Sequence, residues 1–167
     1  MNDFQRAERP WVADERTMLT GFLEFQRDTL ALKCAGLTDE QLRSRAVPPS
    51  ELSLLGLVRH LADVERGWFR DVVNGERTRG LWVDGSGGSA DFDVEGADVA
   101  EAFAVWRREC ASSREIAEAA VSLDVTGTHR VGEFSLRYVL LHMIEEYARH
   151  NGHADLLRER LDGSTGE

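Results

Sequence analysis

Lysine is nearly absent from this 167-residue sequence: Lys33 stands alone against nineteen arginines. That bias points to a GC-rich genome rather than to a physical requirement. Acidic residues outnumber basic ones by 30 to 20, a formal net charge of −10. The balance excludes nucleic acid as a partner, because non-specific affinity for phosphates is built from many Lys and Arg contacts. Cysteine is scarce as well. Cys34 and Cys110 lie far apart, without the close spacing of redox or metal pairs, and read as buried or incidental thiols of a reducing cytoplasm. No apolar run reaches 18 residues, which excludes a membrane-spanning helix and a membrane partner. The opening MNDFQRAERPW has no apolar signal core and is too acidic for a transit peptide, so the expected location is cytoplasmic. Also missing are a phosphate loop, a nucleophile elbow and a paired-cysteine motif. GSGGS at 85–89 lacks a following Lys-Ser/Thr and reads as a flexible loop.

What is present is an ordinary globular composition, 42% hydrophobic and 30% charged, in a length that suits one domain over residues 1–167. Residues 1–13 form an aperiodic arm in which Trp11 is expected to pack back. A first helix runs from an Asp14 cap to about Cys34, with Met18, Phe22, Phe25, Thr29 and Leu32 at three- and four-residue steps. A short helical turn capped by Thr38 follows and closes at Pro48-Pro49. The second helix starts at a Ser53 cap and stops at Gly75. Residues 76–96, rich in Gly, Ser and Asp, form a long crossover connection or flap. A third helix covers about 97–121, and a fourth runs from a Ser135 cap to Leu161. Almost no strand pattern is visible. The fold class is therefore all-α, a four-helix bundle with one long crossover.

The fourth helix carries the chemistry. At about 100° per residue, His142, His150 and His153 fall within about 40° of Glu146, on the stripe shared by Val139 and Leu157. An unpaired buried carboxylate costs several kcal/mol, so a compensating cation is the simplest remedy. Glu-x-x-x-His puts a carboxylate and an imidazole one turn apart, within reach of one ion. A further ligand has to come from another helix, and His60 is the only histidine before residue 129. Gly56 and Gly67 beside it leave room for a ligand or a close neighbouring helix. His60, Glu146 and His150 give a His₂Glu set that leaves one position open on zinc. His153, one turn beyond, is either a fourth ligand or, in the preferred reading, a base and hydrogen-bond partner outside the metal shell.

Plainer readings stand beside these. The Glu146, His150 and His153 face is otherwise a solvated stripe or a metal-free hydrogen-bonded network, and His60 a satisfied core histidine. His142 suits a structural or rim role, exposed His129 a loop, and Tyr147 packing. Trp68, Trp82 and Trp106 suit core or flap anchors, and Trp82 is also the residue to watch as a lid. Glu65 and Arg66 suit surface pairing, although an arginine near the site would also grip a substrate carboxylate.

The stretches LSLLGLVRHLADVERGWF (52–69) and LRYVLLHMIEEYARHNGHADLLRER (136–160) together resemble the DinB/YfiT-like metal-binding four-helix bundles. Within them the resemblance is closest to the actinobacterial branch of mini-circle-type proteins and mycothiol S-transferases. It implies a metal held by a histidine of the second helix and a pair four apart on the last. That pair is His-x-x-x-His in many members and Glu-x-x-x-His in the mycothiol-dependent maleylpyruvate isomerase. The matching positions are His60, Glu146 and His150, and the glutamate leaves the metal open among zinc (the default), nickel, manganese and iron. The resemblance further implies a small-molecule thiol, mycothiol, joined to an electrophile. The competing expectation is a non-catalytic metal-binding or dimerisation bundle, and a homodimer is compatible with either.

Overall fold

The computed structural model describes residues 6–166. Five helices lie among them: α1 (Glu15–Cys34), α2 (Asp39–Arg43), α3 (Leu54–Glu65), α4 (Val99–Ala119) and α5 (Leu136–Asp162). α3 continues directly into a π-helical segment, Arg66–Val73. Strands β1 (Thr126–His129) and β2 (Gly132–Ser135) pair antiparallel in one small sheet. The chain is thus mostly helical, and its long helices are compatible with an all-α bundle.

Helix starts follow from local chemistry. Asp14 Oδ1 accepts from the Thr17 amide at 3.0 Å, and Asp98 Oδ1 accepts from the Glu101 amide at 2.9 Å. Thr38 and Gln41 form a reciprocal capping box. Ser135 Oγ accepts from the Tyr138 amide at 3.2 Å, so the predicted cap of α5 holds even though Ser135 also ends a strand. Each such acceptor satisfies one of the orphan amides of a first turn.

The described residues divide into two compact units, one running up to Leu54 and resuming at Leu140, the other Leu55–Val139. In the first, α1 and the body of α5 are tied by polar side chains. Asn151 Nδ2 donates to the Gln26 carbonyl at 3.0 Å, and Arg158 donates to the carbonyls of Lys33 and Ala35 at 3.1 and 2.7 Å. Lys33 pairs with Asp155 at 2.6 Å. Leu23, Leu30, Met143, Tyr147 and Leu157 are buried in this unit. The arm lies on α1, with the Ala7 amide donating to Asp28 at 2.8 Å. The guanidinium groups of Arg6 and Arg9 each lie 4.2 Å from the Phe25 ring centroid. Trp11 does not pack back as expected; it is 94% exposed. Pro10 takes the place instead, its Cδ sitting 2.6 Å from where a Cβ on Gly21 would be.

In the second unit the π segment organises the packing. Glu109 of α4, 1% exposed, accepts from Arg66 at 3.1 Å and from Arg70 at 3.5 Å. Glu65 is fully buried and takes the Cys110 thiol as a neighbour at 3.6 Å. Glu65 and Arg66 are therefore not surface partners, because the segment turns its first residues toward α4. The small hairpin is compatible with a sequence in which almost no strand pattern is visible, but its position was not expected. Its two-residue turn, Arg130-Val131, carries no Asn-Gly or Asp-Gly, and its strands are short and mostly exposed, so the sequence offers no hairpin pattern. Its placement rests on the absence of a side chain at Gly127, where a Cβ would sit 1.7 Å from the Val72 carbonyl oxygen.

Gly127→Ala should therefore push the hairpin off the π segment and cost about 1–3 kcal/mol of stability. Urea denaturation of the two proteins checks it, and unchanged stability would show that the close approach carries no weight.

Candidate metal centre

On α5 the candidate residues sit one turn apart, as their spacing requires. Glu146 lies between two histidines: Oε2 is 3.4 Å from His150 Nε2 and Oε1 is 3.5 Å from His142 Nε2. His142 also approaches Glu145 at 3.9 Å. Nδ1 of His153 lies 3.3 Å from Nδ1 of His150, with the rings nearly edge to face. These side chains are not sealed in the core. Glu146 keeps 25% and His150 12% of its side chain exposed, so the stripe is half-buried rather than dry. The leucine stripe of the helical wheel was right about the backbone direction. Long polar side chains, however, extend past their apolar neighbours toward solvent.

His60 is held by contacts of α3 with the 76–96 connection. Its Nδ1 lies 3.1 Å from Oδ2 of Asp91, and its ring stacks on Phe92 at 5.4 Å. Asp91 is buried, and its Oδ1 has no hydrogen-bond partner among the described residues. Trp82 donates its indole N–H to the Arg59 carbonyl at 3.1 Å, and the Arg59 guanidinium lies 4.5 Å over the indole ring. The Leu81 amide donates to Asp63 at 2.9 Å. Burial pushes the Asp63 carboxyl above the usual carboxylate range, and the nearby charge of Asp91 adds to the rise. A Cβ on Gly67 would meet open space.

His60, Glu146 and His150 each offer one ligand atom, and these atoms lie within 4.8 Å of one another, a group that could hold a metal ion. Two imidazole nitrogens and a carboxylate oxygen suit a borderline divalent cation such as zinc. Sequence reasoning missed Asp91. It lies in the Gly-, Ser- and Asp-rich 76–96 stretch read as a connection or flap, where its burial and contact with His60 set it apart from exposed Asp93. Trp82 acts as an anchor of the 76–96 connection on α3, the first of the two roles its sequence position suggested.

A mostly helical chain with a His/Glu group fit for a cation is the class that fold and site define. Residues 18–163 match the family model of the mycothiol S-transferases, and the chain belongs to that family. This bears out the resemblance read from residues 52–69 and 136–160. No curated protein and no solved structure shows significant similarity to the chain. No helix among the described residues is long and apolar enough to cross a membrane.

The chain's own thiols are poorly placed for chemistry. Burial pushes Cys34 up to about 12, leaving almost no thiolate at neutral pH, and Cys110 is also buried. Iodoacetamide at pH 8 should alkylate neither cysteine until denaturant is added, as read by intact mass. Modification of the native protein would contradict the burial.

Proposed function

We propose that this chain transfers a low-molecular-weight thiol, mycothiol, to a small electrophile, with a divalent cation held by His60, Glu146 and His150. The observation that carries the reading is the grouping of these three ligand atoms in a chain that matches its family over most of its length. Zinc is the default, since three protein ligands with one open position is its catalytic arrangement; nickel, manganese or iron take similar donors. When bound, the cation lowers a thiol's pKa from its ordinary value of about 8.5, so that thiolate is present at neutral pH.

The side chains divide the remaining work. Glu146 supplies negative charge that offsets the cation, and His142, on its second oxygen, orients the carboxylate. His153 steadies the His150 ring through the nitrogen that faces away from Glu146. In the conjugation the sulfur electron pair forms the new S–C bond, and the electrophile's leaving group or π electrons take the displaced charge. The thiol proton goes to a base, and His153 is the proposed acceptor. The cytoplasm, where thiols stay reduced, is the proposed location.

Purified protein should contain about one equivalent of metal, lost in His60→Ala and His150→Ala, as read by elemental analysis. Metal-free wild-type protein would overturn the centre. Conjugation of mycothiol across an electrophile panel should disappear with the metal. Bound metal without turnover would instead favour a non-catalytic metal-binding or dimerisation bundle.

His153→Gln should keep the metal and lower kcat by about 10²–10⁴-fold. Loss of metal in this variant would make His153 a fourth ligand instead.

A further inference from the structure

The environment of His60 contains a second constraint. A histidine ring can ligate a cation through either nitrogen, and the choice is made by what the other nitrogen does. Here Nδ1 faces Oδ2 of Asp91 at 3.1 Å. An ionised carboxylate only accepts, so the proton of a neutral ring in this contact sits on Nδ1. That leaves the lone pair on Nε2. Histidine free in water favours the opposite tautomer, with the proton on Nε2. A contact that reverses the preference therefore decides which atom is offered to a cation. Phe92, stacked on the ring at 28° between planes, limits its rotation as well.

Asp91 is in turn held from both sides in sequence. Arg59, next to His60 on α3, donates to the carbonyl of Asp93. It also receives the Trp82 indole N–H on its own carbonyl and lies over the Trp82 ring. The Ala90 amide donates to the Trp82 carbonyl at 2.9 Å, and Val83 bridges Ser89. The 76–96 connection thus folds back on itself and grips Arg59 at two points flanking Asp91.

We propose that Asp91 is a positioning residue. It holds His60 as the Nδ1–H tautomer with Nε2 as the ligand atom, and the Arg59–Trp82 clamp keeps Asp91 in place. The crossover connection is then a structural part of the metal centre rather than a lid over it. The tautomer stands on the geometry alone; its consequence for metal rests on His60 being a ligand, as proposed above. The carboxylate acts through hydrogen bonding, as partners beyond the ligands of metal sites commonly do, with effects of about 10–100-fold on affinity.

The test uses the full chain labelled with ¹⁵N and stripped of metal by a chelator. Long-range ¹H–¹⁵N correlation should report His60 in the Nδ1–H form in the wild type and in the Nε2–H form in Asp91→Ala. Competition with a chromophoric chelator should show zinc affinity lowered about 10–100-fold in Asp91→Ala. Asp91→Asn, which keeps a neutral acceptor, should show a smaller drop, and Trp82→Phe a drop in the same direction. A wild-type His60 with its proton on Nε2 overturns the proposal without any variant. So does a folded Asp91→Ala with unchanged tautomer and zinc affinity. Wild-type protein that binds no zinc but shows the Nδ1–H tautomer would sink the metal reading and leave Asp91's hold on His60 standing.

Discussion

A carboxylate oxygen and an imidazole nitrogen one helical turn apart, 3.4 Å from each other, set the chemistry of α5. Both atoms carry lone pairs, and lone pairs brought together repel unless a proton or a cation lies between them. The other nitrogen of His150 is taken up with His153. If the shared proton there belongs to His150, its Nε2 is left as a bare acceptor facing Glu146. The helix backbone allows this meeting, since residues four apart lie on the same face one turn from each other. The spacing along the helix thus places a carboxylate and an imidazole where one proton or one cation can be shared between them.

Partial exposure is consistent with that need. A fully buried carboxylate would be driven to protonate, and a fully solvated one would have no reason to bind a cation tightly. Glu146 and His150 lie between these limits. Their environment is open to water and enclosed enough to strengthen charge interactions over those in bulk water. The contrast with Glu109 is informative. That carboxylate is buried, but two arginines neutralise it, so it serves the packing of the π segment.

Periodicity carried the helical part of the reading well. The caps at Asp14, Thr38 and Ser135, and the one-turn relation of Glu146 to His150, follow from local rules that hold in any context. Features that depend on distant contact did not show. The hairpin had no turn signature, and its position depends on backbone meeting backbone at Gly127 and Val72. The π segment had no local mark either; its partner Glu109 is 43 residues from Arg66. Trp11 was misjudged because the arm uses the flat ring of Pro10 against Gly21, and the indole that follows is carried outward.

The sequence by itself determined the helical class, the candidate ligands and the family, because helical spacing and residue chemistry are local and survive without coordinates. Only the tertiary structure decided that Asp91 meets His60, that Trp82 anchors the connection, and that the α5 stripe is half-open to water. Those facts are distances between residues remote in the chain. No local propensity encodes such a distance, since it is the joint outcome of every contact that positions the two segments.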